Sequence, residues 1–337
     1  MAKQPVNIVI MRPLKQFNLR SLDEKYIQQI KKVSPRVKLM DISALMQDEE
    51  SGDVSARQKV DAILAEAEIF NGFYPPQNLI ARAPLLKWIH SPLTGVDSYL
   101  TAVADTSIWL TNSRGIHGAQ ASEMALTLML MLAKQAPLYL EQQKKQLWKP
   151  YTPDILCQKT AAILGLGVIG KELAKLLKVL HMKVLVIESR QMAKPCYIDA
   201  IRPPEKLLEI LAQSDFVLVT LPLTPETNKL LDEAALRSMK SSAYLVNVAR
   251  GGIIDEEVLV RALKEKWIAG AGLDVFETEP LPAASPFWQL PNVIITPHCA
   301  GRRSDYDQLA TDLFCKNLRN YLNGKALFNL VNITQGF

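Results

Sequence analysis

The sequence predicts an α/β protein built from two doubly wound parallel-sheet domains with a cleft between them. Three observations carry that expectation. The first hundred residues alternate strand-like and helix-like segments, the pattern of a parallel sheet with helices on both faces. In the middle of the chain, residues 159–190 (KTAAILGLGVIGKELAKLLKVLHMKVLVIESR) read as a strand, a Gly-rich turn, a helix and a second strand in immediate succession. Finally, 337 residues are more than a single hydrophobic core usually serves.

In order along the chain, residues 6–11 (VNIVIM) form a short apolar run. With one early lysine and no long apolar segment, this start reads as a first strand and not as a signal sequence. A helix is expected over residues 22–33, a strand over 37–40, a helix over 56–65, and a strand core at Ile69 and Phe70. The apolar runs 85–89 and 108–110 complete this series, separated by SPLTGVDSYL and a short polar segment. From Ala119 a long helix begins, ASEMALTLMLMLAKQAPLYLEQQKKQ. Its first part is apolar all round and is expected to be buried, residues 141–146 are expected in solvent, and Pro137 should bend or break it. Strands follow over 161–164, 184–187, 216–221, 244–248, 269–275 and 293–296, with helices over 168–180, 204–212 and 256–266 between some of them. Residues 304–322 have helical spacing, and Gly324 is a stop. Because the Gly-rich unit is central, the expected partition is discontinuous: residues 1–112 with 299–337, and residues 113–298.

Composition narrows the classes. Apolar content of 48% and charge of 22% describe an ordinary soluble protein, and a net charge of +5, scattered without a basic run, supports neither nucleic-acid nor membrane binding. No apolar stretch reaches membrane-spanning length. The four cysteines, Cys157, Cys196, Cys299 and Cys315, form no CxxC pair and no metal-ligand spacing with the four histidines. Reduced thiols in a cytoplasm and no metal are therefore expected.

Gly165, Gly167 and Gly170 stand in GxGxxG spacing directly after a strand and before a helix. The first permits a tight turn, the second lets backbone approach a pyrophosphate, and the third lets helix and strand pack closely. Phosphates would meet the unpaired N–H groups at the helix start. Eighteen residues after Gly170, at the end of the next strand, Glu188 is placed to accept hydrogen bonds from a ribose diol. A glycine turn of purely structural use is the alternative, and the strand, helix and acid around it weigh against that.

In such sheets ligands bind beyond the carboxyl ends of strands. The predicted strand ends are followed by LPLTPET, including Pro222 and Thr227; by Arg250 after Val248 and Ala249; by Asp274 and then Glu279; and by His298. A forked, permanently charged arginine suits a carboxylate with an adjacent carbonyl oxygen. A histidine can exchange a proton near neutrality, and a carboxylate beside it fixes its tautomer and favours the imidazolium. Singly, each has a bland reading as a salt bridge, a core histidine or a loop acid. The three at successive strand ends of one domain suit acid–base chemistry on an anionic substrate.

The segments LGLGVIGKELA, LPLTPETNKLL, LVNVARGGIIDEEVL, AGAGLDVFETEPLP and NVIITPHCAG, in this order, resemble the D-isomer-specific 2-hydroxyacid dehydrogenase family, which includes glyoxylate/hydroxypyruvate reductases and phosphoglycerate dehydrogenases. The resemblance covers roughly residues 91–301. It implies a flavodoxin-like substrate domain and a Rossmann dinucleotide-binding domain. It also implies that Arg250, Glu279 (the Glu of TEP) and His298 are the catalytic set. Cofactor contacts are implied at Val168, Ile169, Glu188, Val248, Ala249, Arg250 and Asp274, the last at the nicotinamide amide. SPLTGVDSYL looks like the family's substrate-carboxylate loop, which puts substrate contacts at Leu93, Thr94 and Gly95; read alone, it is a simple turn. The implied reaction is hydride transfer between a nicotinamide cofactor and C2 of a 2-oxo acid, with His298 as proton donor or acceptor and Arg250 on the carboxylate and carbonyl. A homodimer using the apolar long helix is also implied.

Several features leave choices open. Many family members carry Asp where this chain has Glu188, and Arg190 stands two positions on; Glu188 would repel a 2′-phosphate and Arg190 attract one, and NAD is the expected cofactor over NADP. Cys299 beside His298 reads as a small filler more readily than a reactive thiol. Arg302 and Arg303 suit either a second substrate anion or a solvated helix start. A cofactor-sensing regulatory protein of corepressor type on the same fold is the alternative from another class. A short phosphoglycerate dehydrogenase is a further enzymatic reading, one without the appended regulatory domain some of those enzymes carry.

Overall fold

The computed structural model describes residues 4–13 and 21–333. They divide into two compact units, the described residues of 1–116 and 303–337 in one and residues 117–302 in the other.

The first unit begins with strand β1 (Val6–Met11), helix α1 (Glu24–Lys31) and strand β2 (Val37–Asp41). Two helices, α2 (Ser43–Glu50) and α3 (Val54–Ala65), lead to β3 (Ile69–Gly72). Then come α4 (Leu79–Arg82), β4 (Trp88–Ser91), α5 (Asp97–Val103) and β5 (Trp109–Asn112). The sheet is parallel in the order β2-β1-β3-β4-β5, the flavodoxin-like arrangement. The period of two along each strand sorts its side chains between two cores. Val9, Phe70, Ile89 and Leu110 face α3 to α5, while Ile8, Ile69 and Trp88 face Ile30 of α1 and Phe314 and Leu318 of a C-terminal helix. Both faces are covered, so the strands read as continuous apolar runs.

In the second unit, α6 (Gly118–Ala133) and α7 (Ala136–Lys144) precede β6 (Thr160–Leu164), α8 (Val168–Val179) and β7 (Lys183–Ile187). These are followed by β8 (Ala200–Arg202), α9 (Leu207–Gln213), β9 (Phe216–Val219) and α10 (Glu233–Ser238). The last elements are β10 (Tyr244–Asn247), α11 (Glu256–Lys264), β11 (Gly270–Leu273) and β12 (Val293–Ile295). Helix α12 (Tyr306–Leu322) belongs to the first unit and stops before Gly324, at φ +63°. The seven parallel strands run β12-β11-β10-β9-β6-β7-β8, a Rossmann order extended by one strand. Ala162, Leu164, Val217 and Leu245 pack toward α9 to α11; Ala161, Ile163, Leu218 and Val246 pack toward α6 and α8.

One expected break and two differences from the sequence reading have local causes. The long helix breaks before Pro137: Lys134 closes α6, Gln135 takes a left-handed φ of 53°, and Pro137 sits in the first turn of α7, where its missing N–H costs nothing. α6 is not buried all round. Ala121, Ala125, Leu128 and Leu132 are covered, while Glu123, Thr127 and Leu130 are exposed, so its apolar character outruns the one face the sheet occupies. The run at 85–89 becomes a strand only from Trp88, with Leu85 left exposed. Among the described residues no helix is long and apolar enough to cross a membrane.

Candidate active site

The Gly-rich turn has the shape its spacing predicts. Gly165 has φ +96°, a region that favours glycine, and its N–H donates to the Ile187 carbonyl at 2.9 Å. A Cβ at Gly170 would lie 2.2 Å from the Gly165 carbonyl oxygen, so helix and turn touch backbone to backbone. Gly167 is the N-cap of α8, with no side chain capping the helix and nothing within 4 Å of where its Cβ would be. Exposed Val168 and half-buried Ile169 open the helix. An open approach to uncapped helix N–H groups fits a dinucleotide pyrophosphate. Thr220, just past β9, donates from its hydroxyl to the Gly165 carbonyl at 2.8 Å and holds the turn; its side-chain role was not foreseen.

Glu188 directly follows β7 and is buried. Leu166 N–H donates to its Oε2 at 2.9 Å, Arg190 Nε to Oε1 at 2.9 Å and Arg190 Nη2 to Oε2 at 2.8 Å. Burial works to raise the carboxyl, but the Arg190 pair and the backbone N–H groups of Arg190 and Leu166 outweigh it and hold the group down at about 2. Arg190 is thus tied to Glu188 and to the Leu166 carbonyl. In the loop after β9, Thr227 donates to the Pro222 carbonyl at 2.7 Å and accepts from Thr224 N–H, so its hydroxyl shapes the loop that carries Pro222.

Val248 and Ala249 are buried past the end of β10. Asn247, missed by the sequence reading, fixes this turn. Its amide donates to the Arg250 carbonyl at 2.8 Å and its carbonyl accepts from Ala249 N–H at 3.0 Å. A Cβ at Gly251 would come within 1.9 Å of the Phe276 carbonyl carbon, so the Arg250 turn lies directly on the 276–277 peptide.

That peptide leads to Glu279, whose Oε1 accepts from Phe276 N–H at 3.0 Å and whose Oε2 lies 2.6 Å from His298 Nδ1. Burial raises the Glu279 carboxyl. His298, the Phe276 N–H and the Arg250 charge together bring it below the ordinary value. Glu279 and His298 are thus in contact, and within the same unit Arg250, whose Nη1 donates to the Ala249 carbonyl at 2.7 Å, acts on Glu279 through its charge.

His298 itself sits at φ +46°, unusual for a side chain with a Cβ. Asp274 holds that turn. Its main-chain carbonyl accepts from His298 N–H at 2.8 Å; its side chain, almost fully buried, accepts from the Thr296 hydroxyl at 2.5 Å, Cys299 N–H at 2.9 Å and Ala300 N–H at 2.8 Å. Burial and the Asp274 charge push the Cys299 thiol up, away from a reactive thiolate. Arg302 is exposed, while Arg303 is paired with Asp305 and donates to the Ile116 carbonyl.

In the first unit, the SPLTG loop joins β4 to α5. Leu93 N–H donates to Ser91 Oγ at 3.2 Å, the Leu93 carbonyl accepts from Ser113 N–H at 3.0 Å, and the Thr94 carbonyl accepts from the Asn112 amide at 2.7 Å. Among the described residues the N–H groups of Thr94 and Gly95 meet no acceptor. The Tyr306 hydroxyl at the start of α12 donates to the Pro92 carbonyl at 2.7 Å and anchors the loop from below.

Comparison with known proteins agrees with this architecture. The model of the D-isomer specific 2-hydroxyacid dehydrogenase family, NAD binding domain, matches residues 126–300. A glyoxylate reductase of Korarchaeum cryptofilum is 35% identical over 261 residues, covering 74% of this chain and 77% of that protein. Among solved structures, a D-isomer specific 2-hydroxyacid dehydrogenase family protein from Aeromonas salmonicida superposes with a TM-score of 0.82 at 31% identity, covering 98% of this chain and all of the other. Another, from Xanthobacter autotrophicus in complex with NADPH and MES, superposes at 0.81 with 26% identity, covering 99% and 100%. The chain belongs to the D-isomer specific 2-hydroxyacid dehydrogenase family. It is an NAD(P)-dependent oxidoreductase of the 2-hydroxyacid class.

Proposed function

We propose that this protein reduces a small 2-oxo acid such as glyoxylate with NADH, using His298 as the proton donor. The observation that carries the reading is the 2.6 Å contact between His298 Nδ1 and Glu279, beside Arg250 and on the same unit as the glycine cradle. When bound, the reduced nicotinamide supplies a hydride to C2 of the acid. With Nδ1 engaged by Glu279, Nε2 is the ring nitrogen that gives its proton to the emerging alkoxide. Arg250 grips the carboxylate and the carbonyl oxygen. In the reverse direction Nε2 takes the proton.

Val168, Ile169, Pro222, Thr227, Val248, Ala249 and Asp274 surround the cofactor in this reading, with the phosphates at Gly165, Gly167 and Gly170. The choice of NAD rests on Glu188: its ionised carboxylate meets the ribose, and the charge of Arg190 is already matched by it. Exposed Leu130, Leu138, Tyr139, Leu140, Leu147 and Trp148, the last 95% exposed, support a homodimer through this side of the second unit. A monomer by light scattering overturns that part.

The test is a panel of glyoxylate, hydroxypyruvate, pyruvate, oxaloacetate and bulkier 2-oxo acids with both cofactors, alongside His298→Gln. The substitution should abolish turnover and leave NADH binding intact. Undiminished turnover removes His298 from its role, and tight NADH binding with no turnover on any acid favours the cofactor-sensing alternative.

A further inference from the structure

Outside the residues given a chemical role above, one carboxylate is tied to them through the backbone. Glu256, in the first turn of α11, is half-buried, and its Oε1 accepts a hydrogen bond from Glu277 N–H at 2.6 Å. The preceding N–H, that of Phe276, donates to Glu279 Oε1. Two successive N–H groups of one turn are therefore each held by a carboxylate, one belonging to the pair with His298 and the other to Glu256. Gly251 fixes the same turn from behind, since a Cβ there would come within 2.3 Å of the Glu277 nitrogen.

We propose that Glu256 is a positioning residue for the Glu279–His298 pair: it fixes the 276–279 turn through Glu277 N–H and places a negative charge beside the pair. The proposal rests on the proton-transfer role given to that pair above. The charged groups around it come from four segments. Glu277 and Glu279 lie on the turn, Arg250 follows β10, and His298 follows β12. Lys229, before α10, pairs with Asp255 at 3.1 Å, next to Glu256 itself. Burial first, and then repulsion from Glu277 and Glu279, hold the Glu256 carboxyl above its ordinary value, although the Glu277 N–H opposes them. Repulsion is mutual, so an ionised Glu256 favours the protonated forms of the pair.

Two variants separate geometry from charge. Glu256→Gln keeps an oxygen to accept from Glu277 N–H and loses the charge; Glu256→Ala loses both. For Glu256→Gln, the apparent pKa of the pair should fall by about 0.5, the scale of one charge at a partly solvated site. It is read in the pH profile of kcat/KM for glyoxylate reduction and in the NMR titration of the His298 ring proton in ligand-free protein, identified by its loss in His298→Gln. Glu256→Ala should show the same fall together with roughly a tenfold loss of kcat, at unchanged KM for NADH, because the turn is no longer held. Melting temperatures taken alongside separate this from global unfolding.

Both variants titrating like wild type would overturn the electrostatic role, and wild-type kcat in Glu256→Ala would overturn the positioning role. The NMR readout needs no turnover. A wild type inactive on every 2-oxo acid therefore sinks the functional reading, while an active wild type with unshifted variants sinks this one.

Discussion

Replacing Gly170 with alanine tests the cradle where its geometry is tightest. The new Cβ would lie 2.2 Å from the Gly165 carbonyl oxygen and 3.1 Å from Thr220 Oγ1, and Thr220 is itself bonded to that carbonyl. Ordinary contact requires roughly 1 Å more, so the start of α8 must withdraw from the turn by about that much. Alanine gains about 1 kcal/mol over glycine in a helix. Overpacking costs about 1–3 kcal/mol in a yielding core and more against backbone, which leaves a net loss of about 2 kcal/mol. At about 2–4 °C per kcal/mol for a unit of this size, the melting temperature should fall by about 4–8 °C. Displacing the helix N–H groups should also weaken NADH binding at least about tenfold. Gly167→Ala should differ in stability alone. Its φ of −73° suits alanine and nothing lies within 4 Å of its Cβ, so it should melt with wild type, yet that Cβ enters the approach to the helix N-terminus and should weaken NADH at least about tenfold. Scanning fluorimetry and NADH fluorescence titration read both quantities. A Gly170→Ala protein that melts with wild type, or a Gly167→Ala protein that binds NADH normally, refutes the division of roles among the glycines.

Three further outcomes are expected. Glu188→Ala removes the proposed ribose acceptor and releases Arg190, so kcat/KM for NADPH relative to NADH should rise at least about tenfold; an unchanged ratio sinks the cofactor argument. Glu188 is depressed from near 4.5 to about 2, so its ionic stabilisation is full above the unfolded value and is lost as pH falls through the folded one. The melting difference between wild type and Glu188→Gln should accordingly be largest near pH 6 and shrink between pH 4.5 and 2; a difference that does not change with pH contradicts the pairing. Asp274→Ala leaves the Cys299 and Ala300 N–H groups without their acceptor, at about 1–3 kcal/mol each, and should lower both the melting temperature and kcat. A normal melting temperature would show that the 296–300 turn does not depend on Asp274.

Strands were legible because both faces of each sheet are covered, which turns them into apolar runs such as VNIVIM and TAAIL. Shorter or half-exposed pieces were not. β8 is three residues at a sheet edge with no buried position, and α2 carries no side-chain cap and little apolar periodicity. α10 is capped by Asp232 but spans only six residues. At the candidate site, residues whose type suits the chemistry could be picked out, whereas those that hold them could not. Thr220, Asn247 and Glu256 act through bonds from side chain to distant or turned backbone, which depend on how segments approach one another and leave no spacing signal.

Register explains why two of the three proposed catalytic residues stand level at one edge of the sheet. Strands β10, β11 and β12 are neighbours and parallel, with Asn247 opposite Leu273 and Leu273 opposite Ile295. The three strands therefore end level. Arg250 and His298 each stand three residues past that line, on the same edge, with one strand between them. Glu279 stands six past it and would be carried beyond the edge by an extended chain. It returns only because the 276–279 turn folds back on itself, held by Gly251 beneath, by Glu256 at Glu277 N–H, and by its own bond to Phe276 N–H. The contact with His298 thus depends on α11 as much as on the strands. A perturbation at the start of that helix should reach the proposed proton-transfer pair without touching cofactor or substrate.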